Sequence, residues 1–270
     1  MPEVSIISGA YNIEKCYSFH QSMQSILNQT YCDFEFIICD DGSLDDTWKL
    51  LCDYASKDSR IKLLRNEKNL GLAASLNKCI AASSGVFLAR HDLDDYCDLQ
   101  RLEKQINYLK LHDDISVLGS QSYLFDQDGV WGKSRFPVLV KNKDFLFVSP
   151  YKHGSVVFRR DALLKAGCYR VAKETYRAED YDLFMTLQTF CKGANLDEFL
   201  YYFCEDKFAK KRRKYRYRID EARVRFKGFR KLGLFPAGFP CVVKPLIVGL
   251  IPVNVLEWFK EKYYKRKKAE

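Results

Sequence analysis

The 270-residue sequence predicts an α/β protein, a mostly parallel sheet flanked by helices, followed by a basic, partly apolar helical tail. Three observations carry this. Short β-branched and apolar runs alternate with helix-period segments through the first 120 residues. The composition, 47% hydrophobic and 29% charged with 14 Gly and 7 Pro, supports a sizeable core and excludes a disordered, collagen-like or low-complexity chain. The net charge of +9 is split unevenly: residues 207–270 hold 20 Lys and Arg against 5 Asp and Glu, which leaves 24 against 30 in residues 1–206. An acidic body at −6 and a tail at +15 separate chemistry from attachment, since clustered carboxylates attract cations and a basic block attracts polyanions. The domain division expected from this is 1–206 and 207–270.

In chain order, residues 4–7, 34–39, 61–64, 86–89 and 115–119 are apolar runs too short for helices and bounded by polar clusters. Between them, residues 18–27, 46–55, 72–82 and 99–111 carry helical spacing, the last with Leu102, Ile106 and Leu109 on one face. Ser43 followed by Asp46 reads as a helix start. Strand then helix, repeated, implies parallel strands covered on both faces, with ligands beyond their carboxyl ends. After residue 120 a hairpin is expected around Asp126-Gln127-Asp128-Gly129, then a strand at 156–158, a helix at 180–190 and a strand at 196–203. Ten cysteines without a CxxC pair, four scattered histidines and a start with no basic or apolar leader fit reduced thiols in a cytoplasmic setting and no structural zinc.

Three polar clusters fall where such a sheet binds ligands. Asp40-Asp41-Gly42-Ser43 follows the second strand, where carboxylates can accept from a nucleobase N–H or ribose hydroxyls; turn and cap chemistry explains the same residue types. His91-Asp92-Leu93-Asp94-Asp95 follows the fourth strand. Three carboxylates crowded there repel one another, so Mg²⁺ or Mn²⁺ bridging them to nucleotide phosphates is favoured over a solvated acidic loop. Glu179-Asp180 opens a helix, as helix-dipole complementarity allows or as a general base requires. His153 is a further candidate for a phosphate or acceptor contact.

Together with Val4-Ser5-Ile6-Ile7, Ala10-Tyr11-Asn12, Ser25-Ile26-Leu27-Asn28-Gln29-Thr30-Tyr31 and Asn69-Leu70-Gly71-Leu72-Ala73, and with Ala178-Glu179-Asp180-Tyr181-Asp182, these clusters resemble glycosyltransferase family 2 over about residues 4–205. The resemblance implies a Rossmann-like GT-A fold and a metal-dependent, inverting transfer from a nucleotide sugar, UDP-hexose favoured. By that resemblance Asp40, Asp41, Asp92 and Asn12 bind the donor, Asp94 and Asp92 the Mn²⁺ or Mg²⁺ ion, and Asp180 is the catalytic base, with Glu179 and His153 as possible acceptor or phosphate contacts. It points to the non-processive bacterial enzymes of surface-polysaccharide synthesis, acting on lipid-linked saccharides at the inner membrane face. Gly9 stands where the family often has Pro, and the Gln-x-x-Arg-Trp motif of processive synthases is absent, which favours adding a single sugar.

The alternatives weighed are a metal-dependent nucleotidyltransferase and a non-catalytic membrane-binding protein on a degenerate GT-A fold; no nucleic-acid motif accompanies the basic tail. The apolar stretch 234–259 is interrupted by Pro236, Pro240, Lys244, Pro245 and Pro252, whereas a spanning helix needs roughly 20 consecutive apolar residues. The tail is therefore expected to lie peripherally on an anionic membrane surface, with a solvated hairpin packed on the body as the bland alternative.

Overall fold

A computed structural model describes residues 1–205, 215–251 and Val255. The strands are β1 (Val4–Ala10), β2 (Phe34–Asp40), β3 (Ile61–Arg65), β4 (Phe87–Arg90), β5 (Tyr96–Cys97), β6 (Ile115–Asp126), β7 (Gly129–Ser134), β8 (Val157–Arg159) and β9 (Lys192–Cys204). The helices are α1 (Phe19–Leu27), α2 (Thr47–Ala55), α3 (Leu72–Ala82), α4 (Arg101–Leu111), α5 (Arg160–Lys165), α6 (Glu179–Leu187), α7 (Tyr215–Lys231) and α8 (Phe239–Leu250). One sheet runs β3-β2-β1-β4-β8-β6-β9-β5, with β7 paired to β6. Its first four strands are parallel, as the alternating pattern predicts. Beyond β4 the pairing mixes: β8 is antiparallel to β4 and β6, while β6 and β9 run parallel over a long, bulged register. The short β5 and α5 carry no signal visible in the sequence, because each is set by pairing or packing partners far along the chain.

Strand alternation sorts the core to both faces. Val4, Ile6, Phe36 and Ile38 pack with α1, α2 and α4 through Met23, Leu51 and Ile106. Ile7, Ile37, Cys39 and Leu88 face α3, α6 and α7 through Leu76, Phe184 and Phe229. The tail is part of this second layer: α7 buries Val224 and Phe229, and a Cβ at Gly228 would stand 2.2 Å from Met185 Sδ, so a larger residue there would have to displace the buried Met185 side chain. α8 follows antiparallel with Val242 buried, and among the described residues no helix is long and apolar enough to cross a membrane. The junction 206–214 and, of the expected apolar stretch, residues 252–254 and 256–259 lie outside the described residues, as do residues 260–270, which hold the expected basic run.

Candidate active site

The carboxyl ends of the parallel strands are drawn together at one edge. Ala10 stands opposite Asp40, the Asp41 N–H donates to Ala10 O at 2.8 Å, the Asn66 N–H to Asp40 O at 2.8 Å, and the His91 N–H to Ile7 O at 3.2 Å. Asp41 organises this edge. Its Oδ1 accepts from Asn66 Nδ2 at 2.8 Å and the Leu70 N–H at 2.9 Å, its Oδ2 from the Gly71 N–H at 2.8 Å. Gly42, at φ +69°, lets the turn press on the Lys68 backbone, where a Cβ would come within 2.6 Å. Asp40 is fully buried: it accepts from the Ser43 N–H at 3.0 Å and pairs with Arg65 at 3.0 Å. Asn12, at φ 52°, accepts from the Leu44 N–H at 3.0 Å, while Ser43 Oγ takes the Asn12 N–H; Ser43 thus ties two loops, and α2 starts only at Thr47.

A cavity of about 640 Å³ opens here, lined by Gly9, Ala10, Tyr11, Asp41, residues 69–73, Ser75, Val171, Ala172, Lys173, Thr175, Tyr176, Arg177, Glu179, Arg216 and Tyr217. Asp41 and Glu179 thus share one cavity, which neither the buried Asp40 nor the exposed Asn12 lines. Burial first, and then the neighbouring Asp180 charge, pushes Glu179 up to about 7. Asp180 holds the first turn of α6 with its Oδ1 on the Tyr181 N–H at 2.7 Å.

Beside the cavity the acidic loop divides. Asp92 pairs with the fully buried Arg90, which also reaches the carbonyls of His91 and Ile7, and the Asp92 N–H donates to Tyr201 Oη at 3.2 Å. Asp95 turns inward to accept from the Cys204 N–H at 2.7 Å, and burial, reinforced by Asp94 and Asp92, pushes its carboxyl well above the usual range. Asp94 keeps a solvent-facing surface though crowded by protein, and burial and then Asp92 push it up to about 6. Asp180 and Asp92 act electrostatically on the same three neighbours, Lys152, His153 and Tyr169. Among the described residues no group of three or more His, Cys, Asp or Glu side chains is arranged to hold a metal. The chemistry nonetheless fits one: Asp92 and Asp94 are hard oxygen donors whose mutual repulsion a divalent cation would relieve.

His153 lies in a 3-10 turn with Nε2 2.7 Å from Tyr169 Oη. Burial, and then Arg90, lowers it from 6.5 to about 4, so it is neutral and offers no cationic contact to a phosphate. The linkage follows: as pH falls from 6.5 towards 4 the unfolded chain takes up a proton that the folded chain refuses, so this stabilisation is complete above 6.5 and fades below it. His153→Gln should remove that slope; an unchanged stability gap between the two proteins above and within this window, measured by urea unfolding, would refute it.

Arg90, Lys152, Tyr169 and the 171–177 wall escaped sequence reasoning. An arginine at the end of an otherwise apolar strand, just before three carboxylates, was the available signal for Arg90. Lys152, with Nζ 3.6 Å from the Phe203 ring centre, stands in the field of Asp95, Glu205, Asp180 and Asp92, and burial still lowers its pKa.

The family model for glycosyl transferase family 2 matches residues 5–175. The chain belongs to glycosyltransferase family 2. EpsE of Bacillus subtilis (strain 168) is 37% identical to this family 2 glycosyltransferase over 263 residues, 97% of this chain and 94% of EpsE. The amylovoran biosynthesis glycosyltransferase AmsE of Erwinia amylovora is 29% identical over 96% of this chain and 98% of its own. WfgD of Escherichia coli, named as a UDP-Glc:alpha-D-GlcNAc-diphosphoundecaprenol beta-1,3-glucosyltransferase, is 37% identical over 48% of this chain and 49% of its own. Among solved structures, S. aureus TarS 1-349 in complex with UDP-GlcNAc superposes with a TM-score of 0.70 at 19% identity, covering 90% of this chain and 71% of TarS. The mannosyltransferase PcManGT of Pyrobaculum calidifontis, in complex with GDP-Man and Mn2+, gives 0.64 at 15% identity over 99% and 83%. The family 2 transferase thus has the expected GT-A fold, a mixed sheet flanked by helices.

Proposed function

We propose that this glycosyltransferase moves a hexose from a nucleotide sugar, UDP-linked by preference, to a hydroxyl of a lipid-linked saccharide, with inversion, in surface-polysaccharide synthesis at the inner membrane face. The observation that carries the reading is that Asp180, at the start of α6, and Asp92 both act electrostatically on Lys152, His153 and Tyr169, near a cavity walled by Asp41 and Glu179. Asp41 faces the nucleoside, with Asp40 and Asn12 holding the loops behind it. Asp180 takes the proton of the acceptor hydroxyl as its oxygen bonds the anomeric carbon and the bond to the diphosphate breaks; one displacement inverts the centre. Asp92 and Asp94 would hold Mn²⁺ or Mg²⁺, which supplies charge neutralisation to the departing diphosphate. The UDP-GlcNAc complex of TarS, the GDP-Man and Mn2+ complex of PcManGT and the diphosphoundecaprenol acceptor in the name of WfgD support the donor, metal and acceptor classes.

The test is product analysis with UDP-, GDP- and dTDP-sugars and a lipid-linked saccharide. Release of nucleoside diphosphate with a glycosylated lipid is expected; pyrophosphate would indicate nucleotidyl transfer, and no product at all would defeat the reading. Asp94→Ala or excess chelator should abolish turnover without unfolding the protein. Full activity in chelator would remove the metal from the mechanism.

A further inference from the structure

An exposed apolar surface runs along α7 and α8. Tyr215, Ile219, Phe226, Val242 and Leu246 wall a groove of about 470 Å³ between the two helices. On the outer side of α8, Phe239, Ile247 and Leu250 are 53%, 58% and 73% exposed. The patch continues onto the body, because Lys244 Nζ stands 5.5 Å from the ring centre of Phe147, which with Val148 is more than half exposed. Phe226, Phe235 and Phe239 join along its edge at 5.2 and 6.4 Å between ring centres. Contiguous exposed apolar surface of this kind marks an interaction site.

Charge identifies the partner. Residues 215–251 contain eight Lys and Arg and only two acids, Asp220 and Glu221. Asp220 is buried and pairs with Arg223 at 3.1 Å; Glu221 pairs with Arg225 at 3.0 Å and Arg218 at 3.3 Å. The outward charge of Arg230 and Lys244 therefore meets no exposed acid on these two helices. Large apolar side chains framed by basic ones, on a helix of 12 residues, match an anionic bilayer surface rather than its interior.

We infer that the outer stripe of α8, with the exposed edge of α7 and Phe147-Val148, lies flat on an anionic lipid bilayer. This deepens the membrane partner of the proposed function and rests on that reading. Its consequence is geometric: α7 also supplies Arg216 and Tyr217 to the donor cavity, and Lys227 bonds Glu174, which lies between the cavity-lining Lys173 and Thr175, at 2.6 Å, so the docked face and the donor cavity are held by one helix.

The full chain is sedimented with vesicles of phosphatidylcholine alone and with added phosphatidylglycerol. Binding only to the anionic vesicles, weakening with salt, is expected. Ile247→Asp with Leu250→Asp, and separately Arg230→Gln with Lys244→Gln, should each weaken it roughly tenfold or more, while thermal melting and vesicle-free donor hydrolysis stay unchanged. Failure to bind, binding equal in both variants, or a dimer in light scattering that the Asp pair dissolves would overturn the inference. Vesicle binding without nucleotide-sugar turnover would sink the proposed function and leave this surface standing; turnover without vesicle binding would do the reverse.

Discussion

Asp180→Asn is expected to lower sugar transfer by roughly 10²-fold or more while leaving nucleotide-sugar affinity nearly unchanged. The substitution keeps the shape of the side chain and its hydrogen bond to the Tyr181 N–H, so the α6 start should survive, and what disappears is the capacity to accept a proton. Glu179 is the competing base, because burial and Asp180 bring it up to about 7. The two are separable. Glu179 lines the cavity, so Glu179→Gln should act on donor binding, read by calorimetry, whereas Asp180→Asn should act on the rate at saturating donor. A near wild-type transfer rate for Asp180→Asn would assign the base elsewhere.

Phe229→Ala is expected to destabilise the protein by about 3–5 kcal/mol, which for a chain of this size lowers Tm by roughly 10 °C. Phe229 is fully buried in the cluster that includes Phe184, Met185 and Val242, so its removal leaves a cavity between α7 and the sheet layer rather than a loosened appendage. Donor turnover should fall with it, since α7 carries Arg216 and Tyr217. For the same reason a chain ending after residue 205 should not melt cooperatively at the temperature of the full protein. A change in Tm within error for Phe229→Ala, by calorimetry, would show that α7 is energetically independent of the body.

The regions a reader could place from the sequence are those whose signals are local. The alternation through α4 and the acidic loops after β2 and β4 depend on neighbours only a few residues apart, and a parallel α/β frame follows from them, the GT-A fold being what the family resemblance implied. The tail was legible only as charge and proline. Most of its described basic residues are surface, but Arg225 is buried and Val224 and Phe229 point inward against α6, a fact that 3.6-residue spacing hints at and only packing decides.

What the sequence by itself determined is the parallel half of the sheet, the strand-end position of Asp41, Asp92 and Asp94, and the helix start at Glu179-Asp180, because backbone periodicity and motif order are written in contiguous residues. The tertiary structure alone decided the division of labour among those groups. Asp40 is sealed against Arg65, Asp95 is turned inward to Cys204, His153 is neutralised beside Tyr169, and the cavity is closed by a wall and a helix drawn from residues 171–177 and 216–217. Burial, ion pairing and cavity walls arise between segments far apart in the chain, and the strength of a carboxylate's field depends on what surrounds it in space rather than on its neighbours in sequence.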